Sequence, residues 1–346
     1  MKRQSELKSE DGSIEFPLVT IVIPVFNSQD YLRNCIESAV KQSYSNIEIL
    51  IVNDGSSDNS LRIIDEFAAD HRNITCFSQE NHGVGAARNK GIRHARGKYI
   101  QFLDSDDILD VTAIATMVTL CEKHSLDMVM FDARVLIDEQ YGGGRMRNVS
   151  YRRLHEYLEI MSGYGMLTAL LKNREYFSSS CLFLTKIEFL KRTSVLFPEG
   201  IIHEDEAFTF LLMLYAEKIM HINDQVYIRR IRQGSVMTSM SKAKSFVGYK
   251  KVAISLCQAR ETIPDAHQAI LNRRIGTILE KACFIYHGMP RGDRLEYANE
   301  YKKVKRFARG NSYFGLKYGW LIFNGFDIYK KLETIKKSVL GNINRK

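Results

Sequence analysis

From Leu18 onward, short aliphatic and β-branched runs alternate with stretches in which apolar residues recur every three or four positions. LVTIVIPV at 18–25 reads as a buried strand, followed by a helical stretch from about Asp30 to Gln42. IEILIVN predicts a second strand, and Ser57 or Asp58 can cap the helix that runs on to about His71. ITCFS gives a third strand, with a helix from about Val84 to Ala95 after it. KYIQFL gives a fourth, which stops at Asp104-Ser105-Asp106-Asp107. A helix near Val111–His124 then leads into DMVMFDARVLI. Alternation of this kind predicts an α/β fold, a mostly parallel sheet flanked by helices. In such sheets ligands bind beyond the carboxyl ends of the strands. Asn27, Asp54, Asn81 and Asp104–Asp107 all fall at those ends, so four strand ends converge on one rim.

The pattern is less regular further on. Tyr141-Gly142-Gly143-Gly144 marks a loop, Leu154–Leu171 reads as a helix, and SSCLFLT as a strand with a helix after it to Arg192. Glu204 and Asp205 stand at the start of an apolar helix, and KIMHIN and QVYIRRI follow as short strands. From about Lys244 to Arg309 the periodicity is helical throughout. The expected organisation is a disordered leader over 1–16 and an α/β domain over 17–240, in two halves at 17–110 and 111–240. A helical region over 241–310 and an amphipathic tail over 311–346 complete it.

Charge sharpens this division. The 346 residues carry 49 Lys and Arg against 40 Asp and Glu, a net +9. Residues 301–346 hold twelve of the basic residues and only Asp327 and Glu333, so the tail is +10 and the body −1. That distribution argues against a nucleic-acid partner bound along the body. In the tail, aromatic residues including Trp320 lie among the lysines, a composition suited to an anionic membrane surface, to covering an apolar face of the protein itself, or to a dimer seam. Six scattered cysteines without a C-x-x-C pair exclude a disulfide scaffold or zinc cluster and suit a reducing cytoplasm. No apolar run reaches the roughly 20 residues of a membrane span.

Four features carry candidate chemistry. Asp104 and Asp106, one residue apart at a strand end, can hold a hard divalent cation; the same acids could cap a helix beginning near Leu109. HGVGAAR at 82–88 imitates a dinucleotide fingerprint, but Arg88 replaces its third glycine and the segment follows the third strand, not the first. Glu204-Asp205 offers a base at a helix N-terminus, which favours the ionised form; an acidic first turn without chemistry looks the same. Arg229, Arg230 and Arg232 could wrap a diphosphate or sit as solvated strand-edge charges.

Together, VTIVIPVFNSQDYLRNCIESAVKQSYSNIEILIVNDGSSDNS, QENHGVGAARNKGIRHARGKYIQFLDSDD and HEDEAF resemble the family 2 glycosyltransferases with the GT-A fold. The likeness is continuous over about 18–110 and recurs in pieces to about 240; the last hundred residues carry no family signature. It implies that Pro24, Val25, Phe26 and Asn27 hold the nucleotide and that Asp54 contacts the base. Asn81, Gly83, Ala87, Arg88 and Asn89 would lie near the ribose and sugar, and Ser105 and Arg232 join the expected donor set. Asp104 and Asp106 match the D-x-D motif, with Asp106 the direct ligand of Mn²⁺ or Mg²⁺. Glu204 and Asp205 match the E-D motif, with Asp205 as general base. Two departures stand out: Asn53 replaces a commoner aspartate, and Gln29 replaces an acid two places after Asn27.

The resemblance implies an inverting, metal-dependent hexosyl- or N-acetylhexosaminyltransferase that uses a UDP-sugar in cell-surface polysaccharide synthesis. The basic tail adds the expectation of a glycan or polyprenyl-linked acceptor met from the cytoplasm on the inner face of the membrane, and the near-neutral body that of no nucleic-acid partner; a homo-oligomer stays open. The competing reading is a non-catalytic nucleotide-sugar-binding module. A nucleotidyltransferase would need a glycine-rich loop after the first strand, where this chain has PVFNSQD.

Overall fold

A computed structural model describes residues 16–138, 149–233 and 240–309. The chain divides into two compact units, Met1–Ser239 and Met240–Lys346. The expected loop at Tyr141–Gly144 and the tail at 311–346 lie outside the described residues, as does all of the leader except Phe16. Phe16 belongs to the fold: its ring lies edge-on to Tyr44 at 5.8 Å, and its carbonyl accepts from Asn46 Nδ2 at 2.6 Å.

The first unit opens with β1 (Val19–Val25), α1 (Gln29–Val40), β2 (Ile47–Asp54), α2 (Ser60–Asp70), β3 (Ile74–Gln79), α3 (Val84–His94) and β4 (Tyr99–Phe102). After these come β5 (Ile108–Leu109), α4 (Ala113–His124), β6 (Met128–Met130), β7 (Ala133–Ile137), α5 (Gly163–Asn173) and β8 (Phe183–Lys186). The last elements are α6 (Ile187–Thr193), α7 (Asp205–Tyr215), β9 (Ile219–His221) and β10 (Tyr227–Ile231). A seven-stranded sheet runs β3-β2-β1-β4-β8-β6-β9, and a three-stranded sheet runs β5-β10-β7. β3, β2, β1 and β4 are mutually parallel, as the alternation predicts. Every residue of β1 and β2 is buried, which is why both read as nearly unbroken apolar runs: helices cover both faces.

Three elements differ from the sequence reading. β8 runs antiparallel to β4 and β6, so the sheet is mixed on that side. DMVMFDARVLI is two strands, β6 in the large sheet and β7 in the small one, divided at Phe131-Asp132. The buried Asp132 fixes that break, because its carboxylate accepts from Arg153 N at 2.9 Å, Arg153 Nη1 at 2.7 Å and His221 Nε2 at 2.9 Å. The helix expected over Leu154–Leu171 begins only at Gly163, where the Ser162 hydroxyl accepts from Gly165 N. Upstream of it, Glu175 holds the chain non-helical by accepting from Leu154 N at 2.8 Å and Tyr157 Oη at 2.7 Å.

The second unit is helical, but not continuously so. Helices Lys242–Gln258, Gln268–His287, Arg291–Glu296 and Ala298–Arg309 are interrupted at Pro264 and Pro290, where the missing N–H and ring sterics stop a helix. Phe246, Val252, Leu271, Ile278 and Val304 form its core, and Tyr286 stacks on Tyr301 at 3.9 Å. All six cysteines are free, and no helix among the described residues is long and apolar enough to cross a membrane.

One contact sets how close the functional helix comes to the sheet. Gly91 of α3 rests on Val22 of β1, and a side chain there would overlap both Val22 methyl groups. Gly91→Val should lower the unfolding free energy by about 1–3 kcal/mol through overpacking, read from urea titration.

Candidate active site

The loops after β1, β2 and β3 are laced together by side chains bonded to main chain. Asn27 takes a left-handed backbone (φ 47°), a conformation Asn tolerates better than most residues. Its Oδ1 accepts from Ser57 N at 2.8 Å, and its own N–H donates to Ser56 Oγ at 3.1 Å. Gln29 accepts from Asn59 N at 3.0 Å while its N–H donates to Asp58 Oδ2 at 3.0 Å. Asn53 accepts from Ser56 N at 3.1 Å, closing the turn that follows β2. Both residues that depart from the family pattern are thus taken up in loop closure.

Asp54, expected at the base, is buried with both carboxylate oxygens engaged. It accepts from Gln79 Nε2 at 2.8 Å, His82 N at 3.0 Å and Gly83 N at 2.8 Å, so it ties the β3–α3 loop to the end of β2. Gly55 beside it has φ 74°, and a Cβ there would press on Asn81 N. Pro24 and Val25 lie inside the sheet; Phe26, 48% exposed, and Asn81 reach the surface of the rim. Ser105 is buried, its hydroxyl 2.7 Å from that of Ser28, which pins the turn after β4 to the start of α1.

The acids gather around one buried arginine. Arg88, on the first turns of α3 and 2% exposed, donates from Nη2 to Asp104 Oδ1 at 2.7 Å. Its Nη1 donates to Glu204 Oε1 at 2.6 Å and Asp205 Oδ1 at 3.3 Å, and its guanidinium lies 5.2 Å from the Phe197 ring centre. The D-x-D and E-D motifs therefore meet across Arg88, whose buried donors face carboxylates where the sequence reading expected ribose and sugar. Asn89, also buried, binds the Phe197 main chain in both directions at 2.9 Å and so holds the segment leading to α7. His203 there has φ 71°, a strained conformation immediately before Glu204.

Electrostatics differentiate the carboxylates. Burial would raise Asp104, but Arg88 and then Arg229 hold it below its ordinary value. Burial, followed by the charge of Asp205, pushes Glu204 up to about 7 against the pull of Arg88. Burial also raises Asp205, with Arg88 opposing and Asp104 adding to the rise. A raised carboxylate is a stronger base, provided Arg88 keeps it ionised.

The turn after β4 is also anchored to the end of β10. Asp106 Oδ2 accepts from Arg232 Nε at 2.7 Å and its carbonyl from Arg230 Nε at 3.0 Å. Asp107 is buried and accepts from Tyr227 Oη at 2.8 Å and Arg230 N at 2.7 Å; burial and the neighbouring Asp106 and Asp104 push it well above the usual range. Tyr227 Oη also accepts from Asp104 N at 3.2 Å. The helix-cap alternative fails, because α4 begins at Ala113, beyond β5. Tyr227 and Phe197 were not legible as site residues: one is an ordinary strand aromatic in the sequence and the other lies in a loop.

Among the described residues no group of three or more His, Cys, Asp or Glu is arranged to hold a metal. Asp104 and Asp106 offer two carboxylates, an all-oxygen set that suits Mg²⁺ or Mn²⁺ where substrate phosphates supply further ligands.

Glu204 also makes stability pH-dependent in a defined sense. Its pKa is raised from 4.5 to about 7, so between those values the folded state holds a proton that the unfolded chain has lost. Its contribution is present in full below about 4.5 and is lost as pH rises to about 7. Urea titrations across that window should show a downward slope that Glu204→Gln flattens; parallel curves would refute the shift.

With this geometry in place, the likeness to known proteins can be weighed. The model of the glycosyl transferase family 2 matches residues 20–192. Glycosyltransferase GlyG of Streptococcus pneumoniae serotype 4 is 32% identical over 303 residues, covering 84% of this chain and 96% of that protein. S. aureus TarS 1-349, solved in complex with UDP-GlcNAc, superposes with TM-score 0.63 at 21% identity, over 85% of this chain and 81% of that one. Mannosyltransferase PcManGT from Pyrobaculum calidifontis, solved with GDP-Man and Mn²⁺, gives TM-score 0.52 at 14% identity, covering 90% and 88%. The two structures share the fold. The match to the family model and the extent of the likeness to GlyG establish that the chain belongs to glycosyl transferase family 2.

Proposed function

We propose that this chain transfers a hexosyl or N-acetylhexosaminyl group, with inversion, from a UDP-sugar to a hydroxyl of a glycan or lipid-linked acceptor in cell-surface polysaccharide synthesis. The observation that carries the reading is the sharing of Arg88 by Asp104, Glu204 and Asp205, which faces the donor-side acid toward the acceptor-side pair. TarS bound to UDP-GlcNAc supports the choice of nucleotide.

In this reading Phe26, Asn27, Asp54, Asn81 and Gly83 form the nucleotide rim, within a nucleotide half over 17–110 that faces an acceptor half over 111–240. Asp205 takes the proton of the acceptor hydroxyl as that oxygen bonds to the anomeric carbon. The bond from that carbon to the phosphate oxygen breaks in line, and UDP leaves with the electron pair. Glu204 acts through Asp205 and Arg88, setting the charge of the pair. Asp106 and Asp104 would hold a divalent cation, which when bound neutralises charge on the departing diphosphate. The mannosyltransferase solved with Mn²⁺ supports the use of a divalent cation.

A UDP-release screen over UDP-sugars and lipid-linked acceptors tests the activity. Asp205→Asn should lower turnover by about 10²–10⁴-fold while UDP affinity changes little, and retained turnover would remove Asp205 as base. The +10 tail over 301–346 supports contact with an anionic membrane, at up to about 1 kcal/mol per basic residue near the surface. Truncation after residue 310 should therefore abolish flotation with anionic vesicles; unchanged flotation would overturn the membrane reading.

A further inference from the structure

The two candidate cation ligands are held by arginines in very different settings. Asp104 is paired with Arg88, whose side chain is 3% exposed and locked among three carboxylates. Asp106 is paired with Arg232 at 2.7 Å, and these two side chains are 20% and 18% exposed. In the first pair the arginine is sealed inside the protein, although Asp104 itself is 25% exposed. The second borders solvent and can exchange partners.

Arg232 has a second support that does not depend on Asp106. Its guanidinium lies 4.8 Å from the centre of the Tyr31 ring, with Arg230 at 5.1 Å from the same ring. The Tyr31 hydroxyl is fixed by donating to Asp138 at 3.0 Å. A cation–π contact keeps a guanidinium in place while its hydrogen-bond partner changes. The planar fork of arginine serves a carboxylate or a phosphate equally well.

Charge gives the reason for an exchange. Asp104, Asp106, Asp107, Glu204 and Asp205 lie close to Arg88, Arg229, Arg230 and Arg232, five acids against four arginines. The cluster is near balance without a ligand. A divalent cation alone would disturb that balance, as would a diphosphate alone. The two together are neutral.

From these observations we infer that Arg232 is a placeholder for the cation: it occupies Asp106 until donor and metal arrive together, then passes to the diphosphate. This rests on the reading of Asp104 and Asp106 as the cation site. It makes metal and nucleotide binding mutually dependent, since each removes the obstacle to the other.

Mn²⁺ binding to the full chain, followed by electron paramagnetic resonance of the free ion with and without UDP, tests the inference independently of turnover. Without nucleotide, Arg232→Gln should bind Mn²⁺ about five- to tenfold more tightly than wild type, because the competing guanidinium is gone. Saturating UDP should tighten Mn²⁺ binding strongly in wild type and less in Arg232→Gln. Arg232→Lys, which keeps the charge without the fork, should fall between them. Equal Mn²⁺ affinity in wild type and both variants without UDP would overturn the placeholder while leaving the cation site standing. If Asp106→Asn bound Mn²⁺ as wild type does in the presence of UDP, the cation site itself would fall, and the placeholder with it.

Discussion

A single buried guanidinium organises this catalytic unit. Arg88 offers two terminal nitrogens to three carboxylates that reach it from the end of β4 and the start of α7. Removing an arginine from water is costly, and its partners must repay that cost with close, well-directed bonds. The arrangement is therefore all-or-nothing: with the arginine present the acids are held within bonding distance of one atom group, and without it like charges would face one another in a dry site. The raised values of Glu204 and Asp205 express the same balance, because burial and mutual repulsion outweigh the attraction of Arg88.

The two ends of the parallel strands handle buried polarity differently. At the amino end, the buried Glu48 is satisfied by the Thr20 hydroxyl and by Arg96 through its N–H at 2.7 Å and Nε at 2.8 Å, which ties the β2 start to the loop before β4. At the carboxyl end, Asp54 and Asn27 lock loops, whereas Asp106 keeps a partner at the solvent boundary. Rigid loops around one exchangeable pair form a site that is preorganised yet able to admit a charged ligand.

How much of this the sequence disclosed depended on the physics behind each signal. β1, β2 and β4 were legible because complete burial leaves a nearly unbroken apolar run. The rim residues Asn27, Asp54, Asn81 and Asp104 were legible because parallel topology sends every strand end to one side. The break at Asp132 was not, since β6 and β7 together imitate one long strand, and only the distant Arg153 and His221 reveal why the chain turns. Nor was the junction of Arg88 with Glu204: 116 residues separate them, and no local pattern encodes a long-range pair. The helices after Lys242 were foreseen as one periodic stretch, with Pro264 and Pro290 underweighted as punctuation.

The contact between Gly91 and Val22 carries a consequence beyond packing. Arg88 and Gly91 are less than one turn apart on the same helix, so the absence of a methyl group at one fixes how deeply the other reaches. The depth of the charge hub is thus gauged from the hydrophobic core, where Gly91 packs on Val22 of β1. Variation in the core beneath α3 would tune the balance of the acids above it, giving this family member a way to adjust its chemistry through residues that bear no charge at all.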